Sequence, residues 1–198
     1  MNDVLSLLAP QRGHFLVESG HHGSLWLDLE ALFLEPARIE PLADELAARL
    51  ATHGAEVVCG PLVEGAFLAL MVARRLGVPF TYSERFDMRG GGGELYPYEY
   101  RVPRTLHRHV RGKRVVIIND VINTGSAVRG TWIELDSLGA TPVGIGAMLV
   151  LGEWTARFAE KNDLVLESLA SLPNELWAPA ECPLCARGEP LERKIQST

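Results

Sequence analysis

Between Val57 and Leu169 the chain repeats one pattern: a short, unbroken apolar run followed by a stretch of helix length. The runs are Val57-Val58-Cys59, Val78–Tyr82, Arg114–Ile118, Val143–Leu151 and Leu164–Leu169. Glu64–Leu76 and Ala127–Leu138 read as helices, closed by Gly77 and Gly139, where a left-handed residue ends the turn. Strands without a polar face must be covered on both sides. The pattern therefore predicts an α/β fold, a mostly parallel central sheet flanked by helices. A further helix begins at Pro36, carries Leu42, Leu46 and Leu50 on one face and ends at Gly54. Ligands of such sheets bind beyond the carboxyl ends of the strands.

Residues 1–35 break the pattern. They suggest a small leading α+β unit, or hood: a short helix near Val4–Leu8 and two extended pieces, Gly13–Val17 and Ser24–Leu29, around the turn Ser19-Gly20. Residues 36–198 form the core, with a flexible lid loop at 84–103 and a C-terminal tail at 171–198. Between Tyr82 and Arg114 regular pattern is scarce, and connections beyond about 12–15 residues are usually lids or disordered. Within it Glu94–Val102 could form an aromatic-rich hairpin, whose Pro97 argues for a sheet edge. Gly90–Gly93 reads as the hinge of a mobile lid; no Gly-Lys-Ser/Thr follows it, so it is not a Walker loop.

The formal charge is −6, yet Arg85–Arg114 holds eight basic residues (Arg85, Arg89, Arg101, Arg104, Arg108, Arg111, Lys113, Arg114) against three acids. An acidic chain with a local basic segment suits a small polyanion better than nucleic acid, although charge alone fits a solvated face equally well. No apolar run approaches the roughly 18 residues of a membrane span. The N-terminus lacks the basic start and long apolar stretch of a signal peptide, and three cysteines do not suggest a disulfide framework. A cytoplasmic protein is expected.

The sharpest motif runs from Val115 to Ala127, VVIINDVINTGSA: a buried strand, a polar pair at its tip, then a turn of small residues opening a helix. N–H groups at a helix start favour an anion, Thr124 and Ser126 add hydroxyl donors, and Gly125 allows close backbone approach. A phosphate fits this turn, and Asp120 beside it can accept hydrogen bonds from sugar hydroxyls. An ordinary turn capped by Ser126 or Thr124 reads as well on these residues alone.

Here the sequence resembles the type I phosphoribosyltransferases, whose signature it matches at every position except Asn119, where the family has an acid. The resemblance extends to the orotate phosphoribosyltransferase branch through Gly13-His14-Phe15, Ser19-Gly20-His21-His22, Gly60–Ala66 and the tail Cys182-Pro183-Leu184-Cys185 with Gly188, Pro190, Leu191 and Glu192. It implies transfer of ribose 5-phosphate from 5-phosphoribosyl 1-pyrophosphate (PRPP) to a base, orotate by family default, with release of pyrophosphate, in pyrimidine biosynthesis. It also implies Mg²⁺ held through PRPP, with Asp120 a possible side-chain ligand, and a homodimer. By the same resemblance Asn123, Thr124, Gly125, Ser126 and Ala127 would cradle the 5-phosphate. Leu62, Val63, Glu64 and Gly65 would face pyrophosphate, with Arg89 and Arg101 assisting. Asp120, Asn119 and Arg85 would carry catalysis, and His22 and Trp26 would meet the base. A surface histidine and a core tryptophan are the plainer readings of the last two.

Four departures bear on activity. Asn119 keeps a carbonyl acceptor but loses charge. The lid contains no lysine, and Pro97-Tyr98 stands where a basic pair is expected; Arg85, Arg89 or Arg101 could substitute, although each loop arginine reads more simply as solvated. Val150-Leu151 occupies the place of the Asp-Arg pair whose arginine meets the orotate carboxylate, so another heterocycle is open as acceptor. Glu64 sets a carboxylate in the pyrophosphate loop. A PRPP-binding sensor that transfers nothing is therefore the alternative. A DNA-binding regulator would need a domain for which the chain has no residues left. Cys182-x-x-Cys185 could suggest zinc or redox chemistry, but only Cys59 and scattered histidines remain to complete four ligands, and it reads more simply as a packed tail turn.

Overall fold

The computed structural model describes residues 2–17, 19–27, 29, 32–87 and 98–194. Arg89, the Gly90–Gly93 hinge and the Glu94–Pro97 half of the expected hairpin lie outside them.

The leading unit consists of α1 (Asn2–Leu8) and the antiparallel strands β1 (Gln11–Leu16) and β2 (His22–Trp26). The core follows with α2 (Pro36–Leu50), β3 (Val57–Pro61), α3 (Glu64–Leu76), β4 (Phe80–Asp87), β5 (Tyr98–Arg101), α4 (His107–Val110), β6 (Arg114–Ile122), α5 (Ser126–Ser137), β7 (Thr141–Leu151), α6 (Trp154–Lys161) and β8 (Val165–Leu172). Six strands form one sheet in the order β5-β4-β3-β6-β7-β8; all neighbours are parallel except β5, which pairs antiparallel with β4 at the edge. The mostly parallel sheet is as the sequence predicts; of the hairpin expected over Glu94–Val102, the described part, Tyr98–Arg101, pairs instead with Glu84–Asp87 of β4 at the sheet edge.

The central strands are apolar throughout because both faces are buried. Along β6, Val116 and Ile118 join the cluster formed with α2 and α3, through Leu46, Leu50, Leu68 and Val72. Val115 and Ile117 join the cluster on the other face, with Val128 and Leu135 of α5 and Ala159 of α6. After β3 the chain runs outward to β4, and after β6 it runs the other way to β7 and β8. Topology therefore reverses between β3 and β6, where open α/β sheets bind ligands. At this point α3 packs hard on β3: a methyl group on Gly60 would stand 2.6 Å from the Gly65 carbonyl oxygen and 2.8 Å from the Ala66 Cα. Only glycine lets the turn at 62–65 lie so close to the strand.

The tail, grouped with the core on sequence, returns to the hood. Beyond β8, β9 (Leu176–Trp177) pairs antiparallel with β2 to complete a three-stranded sheet, and α7 (Pro183–Ala186) follows. The Leu16 N–H donates to the Glu192 carbonyl (3.0 Å), and the Glu192 N–H donates to the His14 carbonyl (2.8 Å). Two-residue edge pairing has no periodicity that a sequence could display.

Candidate active site

A cavity of about 710 Å³ opens over the carboxyl ends of β6 and β7, between the core, the hood and the tail. Its floor is the turn after β6. Gly125 occupies the N-cap of α5 with φ 73° and ψ 15°, and no side chain caps the helix. The capped-turn alternative is thereby removed: the first N–H groups of α5 keep their capacity for a ligand. Asn123, Thr124, Gly125, Ser126 and Ala127 all line the cavity. The turn is held from outside. Asn174 Nδ2 donates to Asn123 Oδ1 (2.9 Å), and Trp154 at the start of α6 lies against Gly125. Trp154 stacks on Phe158 at 4.8 Å, and Phe158 meets Trp132 of α5 edge-on. Sequence reading missed both α6 and Trp154; Glu153-Trp154 carries no capping signal that would announce the helix.

At the strand tip Asn119 lines the cavity, while Asp120 is buried (4% exposed) and is not part of the wall. Asn119 Nδ2 donates to the Val121 carbonyl (2.9 Å), which turns Oδ1 toward the start of α3; a methyl on Gly65 would lie 2.2 Å from it. Leu62–Gly65 are not among the residues that line the cavity, and Gly65 lies beside Asn119, which does. Leu62 and Val63 are exposed, and their peptide bond is cis.

Arg85 on β4 lines the cavity with Tyr98, its guanidinium 4.6 Å from the centre of that ring. Arg101 does not line it; both its ion pair with Glu99 (2.6 Å) and its position over Phe86 occupy it on the exposed edge of β5. On the hood side, His22 and Trp26 both reach the cavity, with Phe15 tilted against Trp26 at 6.0 Å. Burial, then the neighbouring His14 and Arg193, hold the His22 imidazole below its usual pKa. Leu151 completes the wall, so the expected arginine position is apolar, as the sequence indicated. The tail supplies Leu191 of the tail motif together with Arg193 and Lys194, two cations that sequence reading did not single out because their arrival depends on the long-range pairing of Glu192. Among the described lining residues Arg85, Arg193 and Lys194 are cations, and none is aspartate or glutamate.

The family model for the phosphoribosyl transferase domain matches residues 34–175. The chain belongs to the phosphoribosyltransferase family. It is 31% identical over 180 residues to the orotate phosphoribosyltransferase of Caldanaerobacter subterraneus subsp. tengcongensis, covering 91% of this chain and 87% of that protein. It is 33% identical over 183 residues to the orotate phosphoribosyltransferase of Pelotomaculum thermopropionicum, covering 90% and 86%. Among solved structures, orotate phosphoribosyltransferase from Aeropyrum pernix superposes with a TM-score of 0.64 at 26% identity, covering 87% of this chain and 94% of that one. Adenine phosphoribosyltransferase from Thermoanaerobacter pseudethanolicus shares the fold, with a TM-score of 0.64 at 19% identity over 86% and 99% of the two chains. The protein is a phosphoribosyltransferase of the orotate phosphoribosyltransferase-like kind, and among the described residues no helix is long and apolar enough to cross a membrane.

Proposed function

We propose that this phosphoribosyltransferase transfers ribose 5-phosphate from PRPP to a ring nitrogen of orotate, in pyrimidine biosynthesis, and acts with Mg²⁺. The observation that carries the reading is the wall of the cavity: an uncapped helix start and three cations, without a carboxylate among its described residues. Such a site suits a substrate with a phosphate at one end and a carboxylate-bearing base at the other.

In the transfer, the bond from ribose C1 to the pyrophosphate oxygen breaks, and its electron pair leaves with pyrophosphate. The ring nitrogen gives up its proton, which leaves to pyrophosphate or water, and its electron pair forms the new bond. Positive charge grows on C1 between these events, so the chain must hold both ends and stabilise the middle. The turn Asn123–Ala127 anchors the 5-phosphate. Asn119 Oδ1 accepts a hydrogen bond from a ribose hydroxyl, and the buried Asp120 supplies negative charge at the strand tip. By resemblance the Leu62–Gly65 turn, which stands off the cavity wall, meets pyrophosphate with the N–H groups left after Leu62 donates to the Ser83 carbonyl (2.9 Å); Arg85 reaches it from β4, and Arg89 belongs to the same role.

For Mg²⁺ the hard oxygens at the strand tip would be Asn119 Oδ1 on the cavity wall and, buried off the wall, the Asp120 carboxylate, donors of the kind that suits that ion. Among the described residues the group of three or more metal-ligating side chains is His14, His22, Cys182 and Cys185, which reaches the cavity through His22 alone and holds no oxygen donor, so PRPP oxygens would complete the Mg²⁺ shell. When bound, the ion neutralises charge on the departing pyrophosphate. Trp26 stacks on the base. With Leu151 apolar, Arg193 from the tail takes the carboxylate. The test is pyrophosphate release with PRPP and Mg²⁺ over a panel of bases. Release with orotate and little with uracil, which lacks the carboxylate, is expected. Tight PRPP binding without release for any base would overturn the assignment in favour of a sensor.

A homodimer also belongs to this reading. Val63, Phe67 and Leu70 follow one face of α3 at 52%, 46% and 53% exposure, and Phe33 packs on Phe67 beside the exposed Leu34. An exposed apolar stripe of this kind marks an interface. Phe67→Glu, which buries a charge there, is expected to turn a dimer into monomers at micromolar concentration in sedimentation velocity. A dimer that persists unchanged would place the interface elsewhere.

A further inference from the structure

The tail motif Cys182-x-x-Cys185 does not stand alone in the folded chain. His14 of β1 and His22 of β2 come to it from positions 168 and 163 residues away in sequence. We infer that Cys182 Sγ, Cys185 Sγ, His14 Nε2 and His22 Nδ1 form a structural zinc site that fastens the C-terminal tail to the hood.

The distances carry this reading. A tetrahedral zinc ion with Zn–S of about 2.3 Å and Zn–N of about 2.0–2.1 Å sets its ligand atoms about 3.3 Å apart for N···N and about 3.6 Å for N···S. Here His14 Nε2 and His22 Nδ1 are 3.2 Å apart; Cys182 Sγ lies 3.4 Å from His14 Nε2, and Cys185 Sγ lies 3.3 Å from His22 Nδ1 and 3.7 Å from His14 Nε2. All four atoms fall within 4.8 Å of one another. Four polar atoms facing one another in an otherwise packed place need a common partner, and His14, His22 and Cys182 are each at most 6% exposed. Cys185 closes the open side.

The support around the four is what a metal site requires. His14 Nδ1 donates to the Glu189 carbonyl at 2.9 Å, which fixes the tautomer and leaves the Nε2 lone pair toward the group. The turn after Cys182 brings that carbonyl into place: the Glu189 N–H bonds the Leu184 carbonyl, and Gly188 takes a φ of 72°. Two thiolates and two imidazoles in tetrahedral array select zinc among common divalent ions, and they do not suit Mg²⁺. Binding releases the two thiol protons and links β1, β2 and the tail at one point. The segment so fastened carries Glu192, which pairs with β1, and then Arg193 and Lys194 at the cavity wall.

The full-length protein, purified without chelator or reductant, is expected to contain one zinc per chain by plasma mass spectrometry. The Cys182→Ser/Cys185→Ser variant should hold at least tenfold less. On cobalt(II) substitution the wild type should show the intense visible bands of a tetrahedral thiolate site. Removing zinc from the wild type with a chelator, which needs no variant to fold, should expose two reactive thiols, because Cys59 is fully buried. The same treatment should collapse hydrogen-exchange protection of the Leu16 and Glu192 amides. Metal-free protein with a Cys182–Cys185 disulfide, or zinc retained in full by the double variant, would overturn the assignment. Neither result depends on which base the enzyme accepts.

Discussion

Gly125→Ala is expected to weaken PRPP binding by at least about a hundredfold while the protein stays folded. Two effects act together at this residue. Its φ of 73° costs any L side chain about 1–2 kcal/mol. A methyl group there would also stand 1.8 Å from the Trp154 ring, which is pinned by its stack on Phe158. The turn must therefore move, and the N–H groups of α5 move with it. A displacement near 1 Å is enough to cost about a hundredfold in a positioned site. Calorimetry with PRPP and Mg²⁺ reads the loss, and circular dichroism checks the fold. Adding Trp154→Ala removes the clash but leaves the backbone strain, so it should restore part of the affinity. Unchanged PRPP affinity in Gly125→Ala would place the 5-phosphate elsewhere.

Asp120→Asn is expected to lower kcat by about a hundredfold or more, with a small change in KM for PRPP. The substitution keeps shape and removes charge. Preorganised groups that meet charge developing in the transition state are worth about 10²–10³ in rate each. Here the neighbouring family acid is already an amide, Asn119, which leaves Asp120 as the negative side chain of the pair. The companion Asn119→Asp should raise kcat, since it returns a carboxylate to the cavity wall beside the ribose. Steady-state pyrophosphate release measures both. A fully active Asp120→Asn enzyme would transfer the electrostatic role to Asn119 or to the substrate's own metal.

How far these roles were legible in the sequence depended on whether the deciding contact was local. The strand Val115–Ile118 announces burial on both faces because four apolar residues in a row leave it no solvent side. The turn at Asn123–Ser126 suggests an anion site because small residues, hydroxyls and a glycine stand together at one helix start, although the same residues fit a capped turn as well. Both signals lie within a dozen residues. By contrast, the Cys182-x-x-Cys185 pair reads as a tail turn until the hood folds over it. The tail cations Arg193 and Lys194 look like surface charges until Glu192 pairs with His14 and Leu16. Arg101 shows the reverse case: its charge suggests pyrophosphate, but Glu99, two residues away on the same face of an edge strand, takes it first. Side chains whose roles arise from contacts more than a hundred residues apart leave no pattern that spacing can reveal.

The hood is a sheet whose strands come from opposite ends of the chain. During synthesis the parallel core and the turn proposed to hold phosphate can therefore fold while residues 176–194 are still being made. The side of the cavity proposed to take the base is not complete until they have emerged and closed on β1 and β2. A nascent chain is thus expected to be able to hold PRPP before it can hold an acceptor, and fusions or truncations at the tail should damage the choice of base before they damage the grip on phosphate.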